Sequence, residues 1–469
     1  MVCHSRHKHR EESRRGTHEC VRHSSMMGKL LMKKLVSHFI LAATLLPCVL
    51  TAQVTALLVG HLVDPENGTI ANNQVVLVEN GRFTAIGENL SIPASAEVVD
   101  MSQYWVTQGL VDAHNHLALT YKMLPENNSY YLTSVLDSTA LRAIQAVSNG
   151  MTMMSAGFTL VRDLGNNGNY ADTALRVAIE QGWVPGPTIV NSGIIIGGFG
   201  GQFSPVPERE SLIYPEYLNA DTNDEIVKAV RRNIAFGAKV IKICVDCKSY
   251  GYTADEMKLF ISEAAKAGLK VAGHVQTNAG ALRAIEAGIW SIEHSGALDD
   301  KAHKLMAQKG MWRVGTETPL TDYHTGLTPA ARDRYQRQED GMRNAYANHV
   351  KMAFSTDADY YIPGMTRGQV VIDFLKSWKD AGIPVKEILK IMTVNGYMVS
   401  DIYGKRGPIK VGMPADLIAV RENPLENIDT LRDIRSVMKD GLFFKRDGVM
   451  MPEKFFHSGP TPPTAWRRQ

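Results

Sequence analysis

The sequence predicts an α/β fold: a (β/α)₈ barrel of the TIM type with a small discontinuous β-sandwich domain formed by both ends of the mature chain. Three observations carry this. Eight short apolar runs alternate with helical segments between Val106 and Asp359, the pattern of parallel strands joined by crossover helices. Short strand-like runs broken by Asn, Gly and Pro flank that region on both sides. No glycine-rich phosphate-binding turn follows the first barrel strand, as an open doubly wound sheet would require.

The first 52 residues stand apart from the fold. "MKKLVSHFILAATLLPCVLTAQ" begins at Met32 with two lysines, continues through an apolar run from about Phe39 to Leu50, and closes on the small residues Thr51 and Ala52. This is the grammar of an export signal cleaved after Ala52, and the run is short for a permanent bilayer span. Pro47 ahead of Cys48 disfavours a lipoprotein reading. Residues 1–31, rich in His and Arg, fit no export signal, so the expected start is Met32 rather than Met1. The expected product is exported, periplasmic or secreted, with no stable membrane span once the signal is removed.

Charge and cysteine content narrow the class. The formal net charge is +3 over 469 residues, and much of the positive charge lies in the first 34, at Arg6, Arg10, Arg14, Arg15, Arg22, Lys29, Lys33 and Lys34. The remainder is close to neutral and suggests no nucleic-acid surface. Of five cysteines, only Cys244 and Cys247 survive cleavage after Ala52. Two are too few for a disulfide scaffold. A disulfide, a soft-metal trap and two free thiols remain open for them.

The small β domain is expected over 53–106 and 405–449. Its first part holds "TALLVGHLVD", "QVVLVENGRFTAIG" and "AEVVDMSQYWV", with a hairpin turn signal at Glu79 to Arg82. The barrel is expected over 107–404, with strands in "VTQGLVDAH", "FTLVRDLG", "PTIVNSGIII", "KVIKICVD", "LKVAGHV", "WSIEHS", "MWRVGTE" and "VKMAFSTDAD". The glycine-rich "IIIGGFGGQF" (Ile194 to Phe203) reads as a loop over the barrel mouth. Residues 450–469 form a C-terminal tail.

Polar residues on those strands supply the chemistry. In "GLVDAHNHLAL", His114 and His116 are one residue apart, so an extended strand points both imidazoles to one face. Two neutral imidazoles there can hold a metal ion. Lys242 lies in "VIKIC", His274 ends "VAGH", His294 ends "SIEH", and Asp357 lies in "FSTDAD". Each stands at or near the C-terminal end of its strand, the face where barrel active sites are built. Unpaired buried charge is costly, so six such groups on one rim point to a shared ligand.

The segments "GLVDAHNH", "GFTLVRDLG", "GAKVIKI", "AGHVQTNAGALRAIEAGIWSIEHS", "STDAD" and "KVGMPADLIAV", spread over roughly Val54 to Val449, resemble the metal-dependent amidohydrolase superfamily. The resemblance is to its prolidase-like, imidazolonepropionase-related and ochratoxin-hydrolysing branch. It implies a binuclear centre, usually of two Zn²⁺ ions. His114 and His116 with Asp357 would hold the buried ion, His274 and His294 the more exposed one, and Lys242, carboxylated by CO₂, would bridge both. Lys239 is three residues earlier and therefore on the opposite strand face. A water between two divalent ions loses a proton near neutral pH, its pKa falling from about 15.7 toward about 7. Asp357 would take that proton and pass it to the leaving amine.

Three further residues are candidate substrate contacts. Arg162 either orients substrate or pairs with its neighbour Asp163. Tyr252 binds a substrate carboxylate or packs the rim, and His324 reaches the mouth or stays in a solvated loop. Two departures from the family pattern stand out. Phe199 in "GGFG" replaces a frequent histidine, which implies tolerance of a more apolar or aromatic side chain. "KICVDCKSY" replaces glycines that often follow the bridging lysine.

The expected function is hydrolysis of an amide or peptide bond in a dipeptide or N-acyl amino acid, with ochratoxin-type aryl amides inside that class. The alternatives are a lactam, lactone or ester hydrolase on the same centre, and a non-catalytic ligand-binding or assembly protein on a retained barrel. A thiol oxidoreductase using Cys244 and Cys247 ranks last, because a barrel is the wrong setting for that chemistry. The partner is a small-molecule substrate, and relatives of this kind are usually homo-oligomers.

Overall fold

A computed structural model describes residues 54–120, 130–204, 206–294, 296 and 298–456. The export signal, the upstream extension and residues 457–469 of the tail lie outside the described residues. No helix among the described residues is long and apolar enough to cross a membrane.

Four strands open the chain: β1 (Thr55–Asp64), β2 (Thr69–Glu79), β3 (Arg82–Gly87) and β4 (Glu97–Thr107). The β2–β3 turn places Asn80 and Gly81 at φ 51° and 74°, the left-handed pair that a two-residue hairpin needs. Ten short strands follow: β5 (Leu110–Asn115), β6 (Phe158–Asp163), β7 (Thr188–Asn191), β8 (Ile195–Gly197), β9 (Tyr217–Asn219), β10 (Ile241–Cys244), β11 (Val271–His274), β12 (Ser291–Glu293), β13 (Trp312–Val314) and β14 (Lys351–Met352). The chain closes with β15 (Leu417–Val420), β16 (Ser436–Lys439), β17 (Leu442–Arg446) and β18 (Val449–Met450).

Strands from the two flanks meet in one sheet, ordered β18-β17-β16-β15-β4-β1-β2-β3. Antiparallel β15 joins the halves by pairing with β4. A sandwich needs two sheets, and the eight strands here form a single one. Its apolar face buries Leu57, Val59, Val76, Phe83, Val99, Val106, Leu417 and Met438 together. From β4 the chain runs through Gln108 and Gly109 directly into β5. A Cβ on Gly109 would lie 1.9 Å from Thr159 Oγ1, so only glycine lets β5 lie this close to β6.

Each of the eight expected barrel runs contains a strand. The third splits into β7 and β8, and β9 is additional. All the pairings are parallel, as expected for strands separated by helices. They form two open sheets, β5-β6-β7 and β14-β13-β12-β11-β10-β8-β9, rather than one continuous ladder. Individual backbone bonds run between the two groups of strands. Lys239 and Val240 donate to Asn191 O (2.7 and 3.2 Å), Ala113 donates to Phe354 O (2.9 Å), and Asp357 donates to His114 O (2.8 Å).

Helices return the chain between strands, and their starts are written locally. Thr222, Thr253 and Thr366 each cap a helix in a reciprocal box with Glu225, Glu256 and Gln369, which satisfies two otherwise unpaired amides apiece. Gly288 and Gly310 end helices in the left-handed conformation. The main apolar core lies between strands and helices, drawing on residues such as Phe158, Ile241, Met257, Phe260, Phe354 and Trp378.

Candidate metal centre

β5 is buried along its whole length, so His114 and His116 sit in the interior, 0% and 2% exposed. Their outer nitrogens are tied back. His114 Nδ1 is 2.9 Å from Glu293 Oε2, and His116 Nδ1 is 2.6 Å from the Gly165 carbonyl oxygen. A hydrogen on Nδ1 donated to each acceptor leaves both Nε2 lone pairs free, the usual way a protein fixes a ligating imidazole. Both Nε2 atoms face Asp357 Oδ1, at 3.4 Å from His114 and 2.8 Å from His116.

The other three positions close around this group. Lys242 Nζ lies 3.3 Å from His114 Nε2. His294 Nδ1 is 3.6 Å from Asp357 Oδ2 and 3.1 Å from Thr316 Oγ1. The His274 and His294 rings are 4.2 Å apart between centroids. All six side chains line one cavity of about 160 Å³, with Tyr130, Asn166, Ile195, Gln202, Tyr217, Cys244 and Asp359. Atoms of His114, His116 and Asp357 all lie within 4.8 Å of one another, close enough to share an ion. Imidazole nitrogens and a carboxylate oxygen suit a divalent first-row metal, so the residues present fit the group the sequence implies.

Backbone shape aims two of the six. His294 and Asp357 follow the ends of their strands with φ of 72° and 56°, a left-handed conformation uncommon outside glycine that collects at functional sites. Asp112 braces the same corner. It accepts from Thr356 Oγ1 (2.7 Å), Asn115 Nδ2 (2.8 Å) and the His114 amide (3.2 Å), coupling β5 to the turn that carries Asp357.

The electrostatics follow from burial. Burial brings the Lys242 amine down to about 8, so a neutral, nucleophilic fraction is present near neutral pH. Burial also holds His114 and His274 well below the usual imidazole range and brings His294 to about 3. His116 moves the other way, its hydrogen bond and attraction to Asp357 outweighing burial. Burial works against the Asp357 carboxylate, but His294, His114 and His116 outweigh it and keep the group well below the usual carboxylate range. Burial and then Asp357 push Asp359 up to about 7.

The three candidate substrate contacts do not face this cavity, and each has a physical reason. Arg162 is fully buried beneath the site. It donates to Ala113 O (2.6 Å), Ser291 Oγ (3.2 Å) and Glu293 Oε1 (2.7 Å), so its ion pair is with Glu293 and not Asp163. Tyr252 turns its hydroxyl to Ala220 O at 2.9 Å and packs on Phe260. The His324 side chain is buried against Phe374, with Nδ1 2.7 Å from Tyr360 Oη. Phe199 points outward at 41% exposure. The loop over the mouth contributes Gln202 instead, which lies 3.4 Å from His274 Nε2.

Sequence reasoning passed over Glu293, the acid that grips both His114 and Arg162. Its signal was a carboxylate inside an apolar strand, one residue from His294. Asp359 was also readable, being two residues from Asp357. Tyr130, Asn166 and Tyr217 carry no such mark: Tyr130 opens a short helix, Tyr217 opens β9 and Asn166 lies in a loop.

The profile of the Amidohydrolase family matches residues 105–443. An ochratoxinase of Aspergillus niger is 28% identical across 92% of this chain and 94% of its own length. An imidazolonepropionase of Vibrio cholerae is 23% identical, covering 74% and 87%. Among solved structures, a prolidase complexed with N-methylphosphonate-L-proline superposes with a TM-score of 0.73 at 25% identity, covering 84% of this chain and all of that one. The A. niger ochratoxinase structure shares the fold, with a TM-score of 0.72 at 24% identity over 88% and 99%.

Proposed function

Because the chain belongs to the amidohydrolase family, a family of TIM-barrel-type hydrolases, we propose that it cleaves the amide bond of a dipeptide or N-acyl amino acid with two divalent metal ions, most simply Zn²⁺. The observation that carries this is the meeting of His114, His116, Lys242, His274, His294 and Asp357 at one cavity. In this reading His114, His116 and Asp357 would hold one ion, His274 and His294 would hold the other, and Lys242, carboxylated by CO₂, would be a further ligand. Such ions supply Lewis acidity at the carbonyl and make water acidic enough to attack it near neutral pH.

The chain's own groups do the rest. Glu293 and the Gly165 carbonyl fix the orientation of His114 and His116. Asp357, whose side chain is 32% exposed to the cavity, takes the proton of the attacking water and returns it to the departing nitrogen, the role of a general acid–base. Tyr130, Ile195 and Tyr217 give the cavity an apolar and aromatic wall, consistent with an aromatic or apolar substrate side chain.

A second observation bears on substrate class. An outer cavity of about 510 Å³ shares Gln202, His274, His294 and Asp357 with the inner site and is also lined by Arg334 and Arg337. These two are one turn apart on the helix Pro329–Ala347, and no acidic partner of either is found among the described residues. A substrate carboxylate there would gain charge-assisted bonds, which favours N-acyl amino acids and dipeptides over neutral lactones and esters. The relatives called ochratoxinase and prolidase support the same class.

The test is a panel of dipeptides, N-acyl amino acids, their C-terminal amides and lactones, incubated with metal-loaded chain and scored for released amine or acid. Turnover of the free-carboxylate amides is expected, with loss in Asp357→Ala. Turnover of lactones alone would replace this substrate class, and no turnover by any member would favour a binding role.

A further inference from the structure

β10 ends in Lys242-Ile243-Cys244, so the two-residue period that turns Lys242 into the inner cavity turns Cys244 the same way. Cys244 lines that cavity with Lys242 and His274. Cys247 comes back to Cys244 three residues later. The Cα atoms are 5.6 Å apart and the structure joins the two as a disulfide, a separation ordinary for one. The pair forms a partition. Cys244 faces the inner cavity, and both cysteines line a neighbouring cavity of about 50 Å³ with Asp221, Lys248, Tyr250 and Tyr252.

His274 stands directly across the ladder, as the register partner of Cys244. The two sulfurs and a ring nitrogen of His274 all lie within 4.8 Å of one another. Two cysteines and a histidine are a three-ligand set that zinc accepts with one position left open, and thiolates select soft cations. While the sulfurs are bonded to each other, the set is closed.

We propose that reduction of the Cys244–Cys247 disulfide creates a site for a thiophilic divalent cation, ligated by Cys244, Cys247 and His274. A dithiol reductant supplies two electrons and two protons. The S–S bond breaks, two protein thiols form, and the reductant leaves as its own disulfide. When the cation binds, each thiol loses its proton to solvent and His274 donates a ring-nitrogen pair. His274 then serves this ion rather than the one it shares with His294, so the reduced, loaded chain is a weaker hydrolase. That last consequence rests on the proposed function; the site itself does not.

Cadmium reports on the site directly, through ultraviolet sulfur-to-metal charge transfer. The full chain is reduced with a dithiol, freed of reductant under anaerobic conditions and titrated with Cd²⁺ beside the oxidised chain. A band saturating at one equivalent per chain is expected only after reduction. It should be lost in Cys244→Ser and Cys247→Ser, and weakened at least tenfold in affinity in His274→Gln. Should His274→Gln unfold, loss of the band from reduced wild type with His274 blocked by acylation of its imidazole would serve the same end. No band in a reduced, folded chain that shows two free thiols overturns the proposal, as does a band indifferent to His274. The readout uses no substrate. A band in the reduced chain with no amide hydrolysis by the oxidised, zinc-loaded chain would leave the site standing and defeat the hydrolase reading, whereas hydrolysis by the oxidised chain with no band after reduction would do the reverse.

Discussion

Glu293 divides its carboxylate between His114 Nδ1 and Arg162 Nη2, and all three side chains are fully buried. Glu293→Gln keeps the volume and removes the charge. Metal affinity should fall about tenfold to hundredfold, as when the partner of a ligating imidazole is lost, measured by chelator competition. Urea unfolding should show a loss of about 3 kcal/mol, because Arg162 is left as a buried charge without its counter-ion. Unchanged affinity would mean that His114 holds its orientation without Glu293. At the outer cavity, Arg334→Ala and Arg337→Ala should each raise KM for a free-carboxylate amide about tenfold, the scale of one charge-assisted hydrogen bond, and leave its C-terminal amide unaffected. Equal effects on both substrates would remove the carboxylate assignment. The six convergent positions were legible because each is a polar group at the end of an apolar run. The surroundings of Arg162 were not, since its partner comes from a strand more than a hundred residues later.

Elements show the same division. The eight barrel runs were readable because each is apolar, short and separated from the next by a helical segment. β9 escaped because three residues of "YLN" carry no periodicity, and its strand character comes from pairing with β8. The helix Asp300–Lys309 gives an element-scale test. Its His303 is fully buried with neither ring nitrogen hydrogen-bonded, and burial, then Arg313, brings it down to about 4. The unfolded chain binds the proton near the ordinary histidine value of about 6.5. Between those values the unfolded state holds more protons, so stability is complete above about 6.5 and is lost as pH falls toward about 4. His303→Leu should flatten that dependence by an amount on the order of 2 kcal/mol, read from urea midpoints across the window. An unaltered slope would place the titrating group elsewhere. Thr253→Ala, which breaks the capping box after β10, should cost about 1 kcal/mol in the same assay.

For the whole molecule, local pattern recovered the α/β class and the flanking strands, but not how the sheets join. Strand runs at both ends suit one sheet or two, and only the β4–β15 pairing settles on one. The breaks in the barrel ladder are likewise invisible in sequence, because Asn191 and Phe354 close them by backbone bonds alone. The proposed export signal predicts a mature N-terminus at Gln53 in the native host, read by N-terminal sequencing; a chain retaining Met32 would refute cleavage. What unites the fold with its proposed chemistry is the claim that six residues from five strand ends hold two ions in common. Anomalous diffraction at the zinc edge from crystals of metal-loaded chain tests this most directly. The account predicts two peaks per chain in the inner cavity, one beside His114, His116 and Asp357 and one beside His274 and His294, with Lys242 between them. An empty cavity, or zinc bound only at other residues, would contradict it.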